Sequence, residues 1–140
     1  MVALTVAAPA YALDLDADGL DDDWEIQYFG NTSPTATQDP DLDGLDNLGE
    51  YRLFGNPLQV DTDGDFLTDG EEADLGTRLD VADTDQDGLN DYAEAEIHHT
   101  NPLARDTDSG GAEDGAEVLT AGTNPLDRND DGRDEDRDGL

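Results

Sequence analysis

A twelve-residue acidic unit recurs in register along the chain, and no other feature limits the fold so tightly. Its copies are DLDADGLDDDWE (Asp14 to Glu25), DPDLDGLDNLGE (Asp39 to Glu50), DTDGDFLTDGEE (Asp61 to Glu72), DTDQDGLNDYAE (Asp83 to Glu94) and DTDSGGAEDGAE (Asp106 to Glu117). A sixth start, DRNDDGRDEDRD, opens at Asp127. Starts at residues 14, 39, 61, 83, 106 and 127 keep a nearly constant period, the signature of a repeat architecture. A disordered acidic tail has no reason to hold that register, or to place Glu at the twelfth position of five successive units.

Each unit has a second half. Apolar and aromatic residues follow the acidic stretch, as in Trp24-Glu25-Ile26-Gln27-Tyr28-Phe29, Glu50-Tyr51-Arg52-Leu53-Phe54 and Glu94-Ala95-Glu96-Ile97. This predicts about one helical turn after each Glu. Breakers then come at Gly30-Asn31, Gly55-Asn56-Pro57, Thr100-Asn101-Pro102 and Gly122-Thr123-Asn124-Pro125, where Gly or Asn suits a left-handed stop and Pro forbids continuation. One such helix is too short to persist alone in water, so its apolar side needs a neighbouring unit. The expected fold class is an elongated, solenoid-like repeat array organised by metal, mostly loops with short helices and little regular secondary structure. It spans residues 13–140, behind a distinct apolar segment at 1–12.

Composition points the same way. Asp and Glu number 38 against 6 basic residues, all Arg, for a net charge of −32. Leu, Ile, Val and Phe together make up only 27 of the 140 residues. That share, with that charge, falls where chains ordinarily stay disordered unless something neutralises the acid. Nucleic acid and anionic membranes are excluded as partners on charge. The absence of Lys removes a P-loop and Schiff-base chemistry, and the absence of Cys removes thiol catalysis, disulfides and thiolate metal sites. Paired glycosidase acids need opposite environments across a cleft, not five copies of one loop. The chain reads as a non-enzyme.

The order of residues within the unit is that of a calcium loop. Asp at positions 1, 3 and 5 sends alternate carboxylates toward one centre, Gly at 6 permits a sharp turn, the carbonyl of 7 points inward, and an acid at 12 closes the shell with two oxygens. Position 9 is Asp22, Asn47, Asp69, Asp91 or Asp114 and offers a further oxygen, directly or through water. An all-oxygen set of six or seven donors suits calcium; magnesium demands a stricter octahedron, and zinc or copper would want the His or Cys that no loop contains. The solvated-face alternative fails on energetics, because converging carboxylates repel unless a counter-charge joins them. About five to six or more calcium ions are expected, on the count of loops.

These are not paired EF-hands: the apolar residue sits at position 7 (Leu20, Leu45, Leu67, Leu89, Ala112), and an Asn-Pro turn stands where an incoming helix would be. The phrases DTDGD-x-LTDGEE and GTNPLD together resemble the bacterial thrombospondin type 3 repeat family, from Asp14 to Leu140. The resemblance implies stacked calcium-organised loops, usually in surface-exposed spacer or adhesion regions. By motif position it implies ligands Asp14, Asp16, Asp18, Leu20 (carbonyl), Asp22 and Glu25 in the first loop. The second takes Asp39, Asp41, Asp43, Leu45, Asn47 and Glu50, and the fourth Asp83, Asp85, Asp87, Leu89, Asp91 and Glu94. The third, Asp61, Asp63, Asp65, Leu67, Asp69 and Glu72, carries Phe66 in place of Gly, so a strained or wider turn is expected. The fifth has Gly110 at position 5, leaving Asp106, Asp108, Asp114 and Glu117; water or a neighbouring loop must supply the lost oxygen, and weaker binding is expected. Two frames overlap at the C-terminus: Asp127, Asn129, Asp131 and Asp138, and Asp134, Asp136 and Asp138.

Outside the loops, MVALTVAAPAYA at residues 1–12 ends in a small-x-small pattern and reads as the end of a secretory signal, or as a retained apolar strand. Twelve residues cannot span a bilayer. His98-His99 reads as a helix-end cap. Trp24, Tyr28, Phe29, Tyr51, Phe54 and Tyr92 read first as core, second as a sugar-stacking face. Asn31-Thr32-Ser33 is a glycosylation sequon, and Thr35, Thr37, Thr62, Thr84 and Thr107 are candidate O-glycan positions. The expected function is an extracellular or cell-surface calcium-binding structural protein, a stiffened rod or a filament subunit assembling head to tail through its uncapped ends. The alternative is a spacer or stalk of a larger surface adhesin or secreted enzyme.

Overall fold

A computed structural model describes residues 13–131. The segment at 1–12 and the candidate ligands Asp134, Asp136 and Asp138 lie outside the described residues. The fold is mostly loop, with short helices and, among the described residues, no strand. The helices are α1 (Asp22–Phe29), α2 (Asn47–Leu53), α3 (Asp69–Leu75), α4 (Ala93–His98), α5 (Asp114–Ala116) and α6 (Glu117–Ala121). Turns α4 and α6 are of the wide π type, and α5 runs directly into α6.

The helical turn begins earlier in the unit than the apolar pattern predicts: α1, α2, α3 and α5 start at position 9, inside the acidic stretch. Position 8 supplies the reason in the first four units, whereas Glu113 in the fifth makes no side-chain cap bond. Asp21 accepts from the amides of Asp23 and Trp24, and Asp46 from that of Gly49. Thr68 forms a reciprocal capping box with Glu71, and Asn90 Oδ1 accepts from the Ala93 amide at 2.9 Å. Each satisfies an otherwise orphaned first-turn donor. Glu at position 12 therefore lies within the first helical turn, its side chain carried into the interior. Left-handed residues end the helices: Gly30, Phe54, Gly76, His99 and Gly122, all with φ between 59° and 85°. His99 also bonds through Nδ1 to the Ala95 carbonyl at 3.1 Å.

Buried hydrophobic residues are few: Leu20, Ala36, Leu67, Leu79 and Leu89. Three of them occupy position 7. Apart from Asn47, the most enclosed polar side chains are acids, with Glu25, Asp69, Glu72, Asp91, Glu94, Asp114 and Glu117 each at 0% exposure. This interior is built of carboxylate with leucine as filler, the inverse of an ordinary core. The aromatics divide. Trp24 packs against Tyr28, Phe29 and Tyr51 at centroid distances of 5.1, 5.8 and 5.5 Å, and Tyr92 against Phe66 at 5.9 Å. Phe54, expected in the core, is exposed, because its left-handed backbone turns it out at the helix end.

Two backbone devices join the units. Within each, the position-9 amide donates to the carbonyl just before position 1, closing the loop at Leu13, Gln38, Val60, Ala82 and Arg105 with distances of 2.7 to 3.0 Å. Between units, one oxygen of the position-5 acid accepts from the position-10 amide of the next loop: Asp43 from Gly70 (2.9 Å), Asp65 from Tyr92 (2.8 Å) and Asp87 from Gly115 (2.6 Å). The longer first unit inserts a relay. Asp18 accepts from the Ala36 amide at 3.0 Å, and the Ala36 carbonyl accepts from Leu48, the position-10 residue, at 3.0 Å.

Candidate metal centres

Position by position, the acids have distinct tasks. Position 1 organises the turn: both oxygens of Asp14, Asp39, Asp61, Asp83 and Asp106 accept backbone amides, one of them from position 6 in every loop. Position 5 accepts from position 7 through its other oxygen: Leu20, Leu45, Leu67 and Leu89 donate to Asp18, Asp43, Asp65 and Asp87 at 2.7 to 2.9 Å. Position 9 accepts from the amide of position 2 in four loops (Leu15, Thr62, Thr84, Thr107). In the second loop Asn47 instead donates its Nδ2 to the Thr35 carbonyl at 2.9 Å, keeping Oδ1 free.

Positions 3 and 12 remain. The buried carboxylate oxygens with no hydrogen-bond partner include both of Glu25, Asp41, Glu50 and Glu117 and one each of Asp63, Glu72, Asp85, Glu94 and Asp108. Orphaned acceptors at the same two positions of successive loops form a set that a cation would satisfy, since an unpaired buried charge is strongly unfavourable. Single oxygens from Asp14, Asp16 and Asp18, from Asp39, Asp41 and Asp43, and from Asp61, Asp63 and Asp65 converge within 4.8 Å of one another. So do those of Asp16, Asp22 and Glu25, and those of Asp43, Glu50 and Asp69. The last group crosses units: the position-9 acid of the third loop meets positions 5 and 12 of the second.

The electrostatics record the same deficit. Burial, followed by the charges of Asp69, Asp43 and Asp41, pushes the Glu50 carboxyl up to about 8. Burial and then Asp63, Asp65 and Asp69 raise Glu72 to about 9, and burial with Asp85 and Asp87 raises Glu94 to about 8. Burial likewise raises Glu117 to about 7 and Asp63 and Asp85 to about 6. Without a cation these groups resist ionising together; a divalent ion removes the conflict. The donor set is all oxygen and crowded with carboxylate, which fits calcium. Small residues keep the space open: a Cβ on Gly55 would meet Glu50 Oε2 at 1.9 Å.

Phe66 takes φ 94° at position 6, beside 99°, 101°, 107° and 113° for Gly19, Gly44, Gly88 and Gly111. The third turn is therefore strained, not widened. The fifth loop is not simply depleted: the Ala112 amide, at position 7, donates to Asp131 Oδ2 at 3.3 Å. The sixth frame is shifted. A hydrogen bond to the position-2 side chain opens the third, fourth and fifth loops, from Asn56 to Thr62, Arg78 to Thr84 and Asn101 to Thr107, and it recurs from Asn124 to Asp130. That register puts position 1 at Asn129, not Asp127. Asp127 is exposed and accepts from Asn129.

Several residues beside the ligands escaped the sequence reading. Thr77 and Thr100 are buried, and their hydroxyls donate to Glu72 Oε1 and Glu94 Oε1 at 3.3 and 3.2 Å, orienting the position-12 acids. Their recurrence five or six residues after the Glu was the available signal. Thr62 and Thr84 turn their hydroxyls onto Asp69 and Asp91 at 2.6 and 2.7 Å, so they are engaged in the loops and do not stand free for sugar.

The bacterial TSP3 repeat model matches residues 61–77, 83–104 and 106–128. No curated protein matches the chain. Among solved structures, the chain is similar to one described as biofilm associated protein, B domain, with 40% identity over 32% of this chain and 11% of that one, at a TM-score of 0.32. A second, biofilm associated protein, BSP domain, is 41% identical over 31% of this chain and 8% of its own, at a TM-score of 0.31. The chain thus spans about a tenth of the length of the solved structures it matches. No described helix is long and apolar enough to cross a membrane. Three adjacent stretches between Asp61 and Arg128 are thus similar to the bacterial TSP3 repeat.

Proposed function

We propose that the chain is an extracellular calcium-binding structural protein whose loops become a stiff rod when metal fills them. The observation that carries this reading is the line of fully buried position-12 glutamates, with both oxygens of Glu25, Glu50 and Glu117 and one each of Glu72 and Glu94 left without a hydrogen-bond partner. The ions are held by positions 1, 3, 5, 9 and 12 and the position-7 carbonyl, about one to a loop at the least. Calcium supplies the counter-charge that lets the carboxylates converge. With little apolar core to fall back on, folding and metal binding become one event.

Extracellular placement suits loops of this class. Loops in extracellular modules bind at ~0.1–1 mM, a level met outside cells and not in the cytosol. The link from Asp43 to Gly70 and from Asp65 to Tyr92 is head-to-tail and does not close on itself, the type of contact that extends into rods and filaments. The same property suits a spacer within a longer surface protein.

Small-angle scattering tests the rod. An unfolded chain of this length has a radius of gyration of about 39 Å and a compact sphere about 14 Å. In millimolar calcium the chain should show a rod cross-section, and on chelation the coil value. A sphere-like profile in calcium would refute it.

A further inference from the structure

We propose that Asp131 is a ligand of the fifth loop, standing in for the carboxylate that Gly110 lacks, so that this metal site is completed by the following unit. The inference rests on the calcium reading above and adds a residue that the position pattern assigns elsewhere.

In the first four loops the position-7 amide donates to the position-5 acid of the same loop. In the fifth, Gly110 has no side chain and the Ala112 amide donates to Asp131 Oδ2. The substitution is spatial as well as topological. A Cβ built on Gly110 would meet Asp131 Oδ2 at 1.7 Å and its Cγ at 2.5 Å, so the incoming carboxylate occupies the volume a position-5 side chain would fill.

A cluster of acids alone would not establish a site. Here Glu117 is fully buried, neither of its oxygens has a partner, and it lies against Asp108 and Asp131. Asp108 and Asp131 each contribute a buried, unpartnered oxygen beside it. Asp131 thus keeps Oδ2 on the Ala112 amide while Oδ1 is left for the ion. One consequence is directional: calcium in the fifth loop ties the sixth unit to it, as the Asp87 and Gly115 bond ties the fifth to the fourth.

Native mass spectrometry of the full chain at about 1 mM calcium, the extracellular level, tests this with Asp131→Asn, Asp127→Asn, Gly110→Asp and the Gly110→Asp/Asp131→Asn double variant. Asp131→Asn should lose one ion relative to wild type, Asp127→Asn none, and the double variant should regain it. Gly110→Asp alone should disturb the site, because two carboxylates compete for one volume. The far-UV spectrum of Asp131→Asn should keep the signal of the first four units. An unchanged ion count in Asp131→Asn would overturn the assignment while leaving the calcium reading intact. A loss that Gly110→Asp does not reverse would also overturn it, by placing the carboxylate's role elsewhere. Wild type without calcium would refute the underlying reading instead.

Discussion

Asp87 reaches across 28 residues to accept the Gly115 amide at 2.6 Å while its other oxygen takes the Leu89 amide at 2.8 Å. One carboxylate thereby shapes its own loop and fixes the start of the next helix. The same pairing joins Asp65 to Tyr92 and Asp43 to Gly70, so the loops are locked in series and not merely strung together.

Asp87→Ala should therefore be felt in the fifth unit. A hydrogen bond to a charged group contributes about 1.5–3 kcal/mol, and its loss should speed exchange of the Gly115 amide by roughly tenfold to a hundredfold. Amide exchange in saturating calcium reads this directly. Protection equal to wild type would show that the link is not energetic.

Gly115→Ala attacks the same junction without replacing a candidate ligand. A Cβ there would meet the Asp87 carbonyl oxygen at 2.3 Å, which is backbone and cannot swing aside. A cost of about 1–3 kcal/mol is expected from overpacking, measured by chemical denaturation in calcium. Tolerance would mean that the units are spaced more loosely than described.

Phe66 isolates the price of a side chain at the turn. Phe66→Gly should be more stable than Phe66→Ala by about 1–2 kcal/mol, because both lose the contact with Tyr92 and only Gly accepts φ 94° freely. Thermal unfolding of the two variants in calcium compares them. Equal stability would remove strain as the explanation.

Acid should partly replace calcium. In the compact metal-free chain Glu50, Glu72 and Glu94 sit at about 8, 9 and 8, above the ordinary 4.5. The folded form then binds more protons than the unfolded form, so its stability is lost as pH rises through that interval and regained as pH falls toward 4.5. Metal-free protein should show more helical signal at pH 5 than at pH 8.5. The reverse order would contradict the buried-acid interior.

The acidic loops were legible because their residue types recur at fixed spacing, leaving little for tertiary context to decide. The helix starts were legible in principle at Asp21, Asp46, Thr68 and Asn90, but the apolar pattern that begins later masked them. Position 4 was not. Ala17, Leu42, Gln86 and Ser109 all adopt φ between 61° and 67° without being Gly or Asn, forced there by the amide bonds to position 1. The motif foresaw that water or a neighbouring loop must replace the oxygen Gly110 lacks, but it assigned Asp131 to the sixth frame and gave no sign that this carboxylate meets the Ala112 amide. The frame at Asp127 read well on spacing yet failed on the Asn124 to Asp130 bond, which only three-dimensional register shows.

Calcium titration of the metal-free chain, followed by calorimetry and far-UV circular dichroism together, tests the central claim most directly. Glu94 is fully buried with Oε2 unpartnered, whereas Glu96 is exposed. Wild type and Glu96→Gln should gain structure in step with binding of about five or more ions, one for each loop. Glu94→Gln should bind one fewer and lose protection in both adjoining units. A metal-free chain at pH 8 that already shows the full helical signal, or a Glu94→Gln chain with an undiminished ion count, would contradict a fold built around calcium.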